Sequence, residues 1–303
     1  MPDTIVILGG AEDEHVAAMH EHLRGRGADV ELVDSRSFPT ELSLSLTPSP
    51  GEGAIGLPAG RVLPVAQIKS LYWRNYFGVA PPPLEDPDQA YIAYNDARSL
   101  FEAFLMALPA RMVNGWTAYH AHQTKPQPLA AIAAQGVRVP ATLWTNDAVR
   151  LREFAARHPR AIFKPVQGGD ETRRLTAAHL TDENLENLRL SPITVQEEIV
   201  GTNIRVFVAG QRVLACEVRT PELDYRQDAE AELIVHQLPS AMQQQAIAIA
   251  RTLSMLWTGI DYRLTPAGEY VFLEANPSPM FLGFEAQTGL PLTASLARLL
   301  LEA

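Results

Sequence analysis

The sequence predicts a mixed α/β protein with more than one packed unit, and three observations carry that reading. The chain opens on a βαβ pattern. The apolar run Ile5-Val6-Ile7-Leu8 is followed by a helical face of Val16, Met19 and Leu23 that closes near Gly25 or Gly27, then by Val30-Glu31-Leu32-Val33-Asp34. Strands joined through a helix make a parallel sheet. Near the other end, residues 259–263 and 269–277 flank the turn Thr265-Pro266-Ala267-Gly268, which reads as an antiparallel hairpin. Finally, 303 residues at 47% hydrophobic suffice for two or three cores.

Composition excludes several classes. A net charge of -10 argues against a general nucleic-acid binder, which needs a basic face. Met1-Pro2-Asp3-Thr4 lacks the basic start of a signal peptide. No apolar run approaches the ~18 residues of a membrane helix, so no membrane partner is expected. The single cysteine, Cys216, falls in an apolar strand pattern and reads as a buried structural thiol in a reducing cytoplasm.

Gly9-Gly10-Ala11-Glu12-Asp13-Glu14 is not a G-x-G-x-x-G loop, and its three carboxylates at a helix start would repel a pyrophosphate. Residues 47–61, rich in Pro and Gly, read as an exposed loop between short strands. Residues 71–75 form a strand whose Arg74 is expected to be exposed. From about Gln89, Ile92, Leu100, Phe101, Phe104 and Leu105 trace a helix ending before Pro109. His15, His20 and His22 fall on a helix rim and are expected to be solvated.

A boundary is expected near Val113-Asn114-Gly115. A helix starts around Thr124-Lys125-Pro126 and closes at Gly136. Residues 137–144 read as a strand, and Thr145-Asn146-Asp147 as a helix cap. Further strands cover residues 161–166, 193–199, 203–209 and 212–218. A helix over about 240–257, with Met242, Ile247, Leu253 and Leu256 inward, leads to the hairpin, and residues 290–301 close the chain as an amphipathic helix.

The hairpin carries the chemistry. If Leu264 faces Glu269, Asp261 falls opposite Phe272, and Asp261, Glu274 and Asn276 share one face. Two anionic oxygens and an amide together suit Mg²⁺, although polar residues on a wet face remain the alternative. Lys164, in a strand with Ile162 and Val166 pointing the same way, is a phosphate candidate or a structural lysine. The following Gly168-Gly169 leaves backbone amides able to close over phosphate oxygens. Lys125 has the same two readings. Gln196, Glu197, Glu198 and Ile199 either border an adenine and ribose or form a plain edge strand. Arg205, Arg219 and Arg226 are candidates for the fixed cations of phosphoryl transfer.

Taken in order, Lys125, Val139-Pro140-Ala141-Thr142, Lys164, Gln196-Glu197, Arg205, Asp261 and Glu274-x-Asn276 resemble the ATP-grasp superfamily. Residues 272–277 and 285–291 are similar to RimK-like ligases, nearest the microviridin or graspetide branch that cyclises ribosomal peptides. Asn114-Gly115, Thr145-Asn146-Asp147 and Asp224-Tyr225-Arg226 resemble segments of that branch, with tyrosine for tryptophan in the last. The resemblance implies a Rossmann-like N-terminal domain over 1–114 and two grasp subdomains over 115–198 and 199–303 that hold ATP between two sheets. It implies that Lys125 and Lys164 contact phosphates, that Gln196, Glu197 and Ile199 border the adenine, and that Asp261, Glu274 and Asn276 carry Mg²⁺. It also implies that Arg205 and Arg226 face the transferring phosphate or acyl phosphate. Asn203, where an acid is usual, and Pro277-Ser278-Pro279-Met280 depart from the pattern on the acceptor side.

The expected reaction is ATP-dependent ligation: a carboxylate takes the γ-phosphate, and an amine or hydroxyl displaces phosphate to give an amide or ester. A ribosomal precursor peptide is the expected substrate. One rival is a RimK-like enzyme adding an amino acid to a protein or small acid. Another, of a different class, is a nucleotide-binding regulatory or scaffold protein without turnover. A homodimer is compatible with the apolar N-terminal sheet and the Pro-rich loops.

Overall fold

The computed structural model describes residues 3–49, 51–167, 171–223, 225, 228 and 230–303. It begins with strand β1 (Thr4–Leu8), helix α1 (Glu14–Gly25) and strand β2 (Asp29–Val33). Asp13 caps α1 by accepting from the amides of His15 and Val16. Residues 51–61 hold a strand where a loop was expected. Three short strands, β3 (Ser43–Leu46), β4 (Gly53–Gly56) and β5 (Val62–Pro64), form an antiparallel sheet of their own, because Ile55 and Leu63 are fully buried beneath it. Strand β6 (Ile68–Trp73) and strand β7 (Arg111–Val113) complete the first sheet, in the order β2-β1-β6-β7 and parallel throughout.

Helix α2 (Pro87–Ala107) is capped by Asp86 and buries Ala97, Phe101, Phe104 and Leu105 at helical spacing. Ile92, expected inward, lies off that face and is 57% exposed. Helices α3 (Trp116–Gln123) and α4 (Pro126–Ala133) follow. The next sheet contains β8 (Thr142–Thr145), β9 (Ala161–Pro165), β10 (Arg173–Arg174) and β11 (Ile193–Glu197), antiparallel in the order β10-β9-β11-β8. Helix α5 (Ala148–Arg157) lies between β8 and β9, its first turn capped by Asp147. The strand expected over 137–144 begins later. Pro140 has no amide proton to pair, and the carbonyl of Arg138 instead accepts from Phe272 N at 2.9 Å.

The last sheet holds β12 (Thr202–Ala209), β13 (Arg212–Arg219), β14 (Glu232–Val235), β15 (Trp257–Leu264) and β16 (Tyr270–Asn276), in the order β14-β13-β12-β15-β16. One face, with Ile204, Val206, Val208, Ile260 and Tyr262, packs on α4 and a further helix over Ser240–Thr252. That helix ends sooner than expected. Ser254 adopts φ 57°, and Trp257 already belongs to β15, which leaves Leu256 38% exposed rather than inward. The opposite face, with Phe207, Cys216, Val218 and Trp257, packs against two helices, Leu282–Thr288 and Leu292–Leu301, and against α1. Cys216 is buried as expected, and burial pushes its thiol up to about 12.

Two contacts tie the N-terminal sheet to the hairpin. Asn114 is 3% exposed. Its Nδ2 donates to the carbonyls of Trp257 and Pro277, each at 2.6 Å, and its Oδ1 accepts from the amides of Leu256 and Trp257. All its hydrogen-bonding capacity therefore serves backbone that flanks β15 and β16. The second contact overturns two expectations. Arg74 is buried, not exposed: it binds Asp13 at 2.9 Å and the carbonyl of Ser278 at 2.9 Å. His15 is 1% exposed, and its Nε2 accepts from the amide of Phe281 at 3.0 Å, whereas His20 and His22 stay half-buried on the rim. Neither burial is readable locally, because the covering residues lie more than 200 positions away.

Replacing Asn114 with Ala strands buried carbonyls and amides together, and is expected to destabilise the fold by about 3 kcal/mol, read as a lower urea midpoint. Burial and the neighbouring Arg74 hold the His15 imidazole below its ordinary value, against the pull of Asp13. As pH falls through about 6.5, the unfolded chain therefore takes up the proton before the folded one does, and the stability present above that pH is lost. The denaturation midpoint is expected to fall between about pH 7.5 and about pH 5.5, and to fall less in His15→Gln, which keeps an acceptor but does not titrate.

Candidate functional site

The site is built on a row of charges crossing three strands. Arg205 on β12 lies opposite Asp261 on β15, and Asp261 lies opposite Glu274 on β16. The register differs from the expected one, in which Asp261 faced Phe272. Leu264 pairs with Tyr270, because Thr265 N bonds to Glu269 O and Gly268 N to Thr265 O, lengthening the loop. A bulge between Asp261 and Tyr262 then takes up Leu273, so that Tyr262 faces Phe272 while Asp261 faces Glu274. The two shifts leave Asp261, Glu274 and Asn276 lining one cavity of about 1160 Å³, together with Arg205, Tyr225 and Phe284.

Two carboxylates facing each other repel unless cations flank them. Here Arg205 donates from Nη1 to Asp261 Oδ2 at 2.7 Å, and Lys125 from Nζ to Glu274 Oε2 at 3.0 Å. Arg205 is 5% exposed. Burial opposes its charge, but the adjacent Asp261 carboxylate outweighs burial and raises its pKa. The rings of Phe207 and Phe284 flank its Cζ at 5.4 and 5.9 Å, and its buried Nε has no hydrogen-bond partner among the described residues. The guanidinium lies across Gly259, where a Cβ would sit 2.7 Å from Cζ. A glycine at this place is what lets the arginine lie flat on the sheet.

Next to this row lies a cleft of about 720 Å³ between the two antiparallel sheets, lined by Lys164, Gln196, Glu197, Glu198, Ile199, Asp261, Leu273 and Glu274. It continues into a smaller one bordered by Lys125, Lys164, Trp144 and Gln196. Both lysines, the segment 196–199 and the two acids therefore share one space. The Glu198 carboxylate is taken up by Arg160 and Arg174, at 3.2 and 3.1 Å, so Glu198 meets the cleft with its side chain already paired. Glu197 Oε2 accepts from the Ala141 amide at 3.3 Å.

Arg219 is not brought to the site. It is 56% exposed at the outer end of β13, paired with Glu217 at 2.7 Å and Glu232 at 3.5 Å. Gly168, Gly169 and Arg226 lie outside the described residues, as does Asp224. Sequence reasoning missed Gly259 as a functional position, although it stands two residues before Asp261, and missed His15, Arg74 and Asn114 as supports. No local pattern marks His15 or Arg74 as supports, and Asn114 stands out only as part of the Asn114-Gly115 segment.

Among the described residues no group of three or more His, Cys, Asp and Glu is placed to hold a metal. The set at the hairpin is two acids and an amide. Asn276 Oδ1 is oriented by accepting from Ser278 N at 2.9 Å. Hard oxygens of this kind, beside a cleft with two lysines, fit a divalent ion such as Mg²⁺ that shares its shell with phosphate oxygens.

Comparison with known proteins agrees with this geometry. Residues 169–300 match the model of the RimK-like ATP-grasp domain. A search of curated proteins found no match. Among solved structures, the ATP-grasp ligase PsnB complexed with minimal precursor is 30% identical over 100% of this chain and 99% of its own, with a TM-score of 0.87. PsnB complexed with minimal precursor, Mg and ADP gives 30%, 98%, 96% and 0.83. The macrocyclase MdnC of Microcystis aeruginosa, bound with precursor peptide MdnA, shares the fold at 20% identity, covering 99% of this chain and 100% of its own, with a TM-score of 0.85. This chain belongs to the ATP-grasp ligases, with a RimK-like ATP-grasp domain and a likeness to PsnB along its whole length.

Proposed function

We propose that this protein is an ATP- and Mg²⁺-dependent ligase that joins side chains of a ribosomal precursor peptide, forming an amide or ester with release of ADP. One observation carries the reading: the Arg205–Asp261–Glu274–Lys125 row borders the inter-sheet cleft in a chain similar over its full length to PsnB, which was solved with minimal precursor, Mg and ADP.

In this reading 1–114, 115–198 and 199–303 are the working units, since each of the larger sheets closes within one of them. Bound Mg²⁺ would offset the charge of the nucleotide phosphates and help fix them in line. Asp261, Glu274 and Asn276 would hold that ion. Lys125 and Lys164 would meet phosphate oxygens, with Gly168 and Gly169 closing above, and residues 196–199 would border the base. Arg205, already oriented by Asp261, offers its remaining N–H groups where negative charge develops as phosphate leaves the activated carboxylate. Arg226 would assist. Phe284 and Met280 supply apolar surface on the wall of the same cavity. The single buried cysteine supports a reducing, cytoplasmic setting, and the net charge of -10 a partner other than nucleic acid.

The test is ATP turnover with a precursor peptide rich in Thr and acidic residues. Wild type is expected to release ADP and to lower the peptide mass by ~18 Da per bond. Glu274→Ala is expected to lose at least about a hundredfold in kcat. A gain of mass would point instead to addition of an amino acid, and absence of Glu274-dependent ADP release to a scaffold. Gly259→Ala is expected to lower kcat at least about tenfold while leaving the KM for ATP nearly unchanged, because it displaces a guanidinium that acts late rather than a nucleotide contact.

A further inference from the structure

Gln196 is 3% exposed and lines both inter-sheet clefts. Its amide has two ends of opposite chemistry, an acceptor oxygen and a donor NH₂, and the end that faces the cleft decides what it recognises. The surrounding hydrogen bonds settle the orientation. Thr142 on β8 is the ladder partner of Gln196 on β11. Its hydroxyl donates to the carbonyl of Pro140 at 2.9 Å. That hydroxyl has one proton, and a carbonyl can only accept, so Thr142 Oγ1 offers Gln196 lone pairs alone. Gln196 accordingly donates from Nε2 to Thr142 Oγ1 at 2.9 Å, and its Oε1 is the end left for the cleft. A flipped amide would set oxygen against oxygen, or take the proton away from the buried Pro140.

We infer that Thr142 is a specificity-determining positioning residue: by locking the Gln196 amide with its oxygen toward the cleft, it selects a purine that carries a 6-amino donor over one that carries a 6-oxo acceptor. The inference rests on the nucleotide reading of the cleft. An adenine amine donates to Gln196 Oε1, whereas a hypoxanthine oxygen meets a second oxygen there. Specificity of this kind comes from a disfavoured contact as much as from a favoured one. Thr142 itself has its side chain turned to Pro140 and Gln196 and acts through the amide.

Calorimetric titration of the full chain with Mg·ADP and Mg·IDP tests this apart from turnover. Wild type is expected to prefer ADP. Thr142→Val, nearly isosteric but without the hydroxyl, frees the amide to rotate and is expected to cut that preference about tenfold, equivalent to ~1.4 kcal/mol. Thr142→Ser is expected to retain it, and Thr142→Val with Gln196→Glu to regain it, since a carboxylate presents an acceptor in either rotamer. If Thr142→Val fails to fold, Thr142→Ala makes the same deletion without a branched side chain. An undiminished ADP preference in the folded hydroxyl-free variant overturns the inference and leaves the nucleotide site standing. Absence of binding of either nucleotide by wild type overturns the nucleotide reading itself.

Discussion

The structure depends on one electrostatic constraint: Asp261 and Glu274 face each other across β15 and β16 and must be held together against their repulsion. Arg205 and Lys125 do this from either side. Breaking such a part-buried pair by removing one partner leaves the other charge exposed to a dry environment, which is far more costly than an exposed pair. The surroundings follow from that need. Gly259 clears space for the guanidinium, Phe207 and Phe284 wall it off from water, and the Leu273 bulge turns both acids to the same side. In this structure the two acids are neutralised by cations from the protein, a role that the proposed function would share with a divalent ion.

The N-terminal sheet serves the same hairpin from outside. Asp13 caps α1 and at the same time orients Arg74, and Arg74 grips Ser278. Ser278 in turn orients the amide of Asn276. His15 adds a bond to the Phe281 amide, and Asn114 holds the ends of both hairpin strands. A chain of ordinary hydrogen bonds thus connects the βαβ start of the protein to the third ligand candidate. Asp13 and Asn114 use their whole bonding capacity in this chain, the condition under which buried polar networks specify one geometry.

In the proposed reading, discrimination between bases in the cleft between the sheets rests on polarity rather than on charge. Glu198 is occupied by Arg160 and Arg174, and Glu197 leans on the Ala141 amide, so Gln196 is the side chain of this segment that presents an oriented neutral group. The lysines and acids nearby are the same types that any phosphate site would use. The amide, fixed by its neighbour on β8, is the feature with directional information.

Much was legible in the chain itself. The parallel start, the hairpin, and the odd–even spacing that sets Glu274 and Asn276 on one face follow from strand alternation, which any few neighbouring residues display. The ordered run of lysines, amide and acids carried the family. Pairing of Asp261 with Glu274 was decided elsewhere, by turn hydrogen bonds that shift the register and a bulge that interrupts the alternation at Leu273, putting Phe272 and Glu274 on opposite faces. The same holds for the burial of His15 and Arg74 and for the outward position of Arg219. Burial and pairing depend on which distant segment covers a face, and local sequence records only the face.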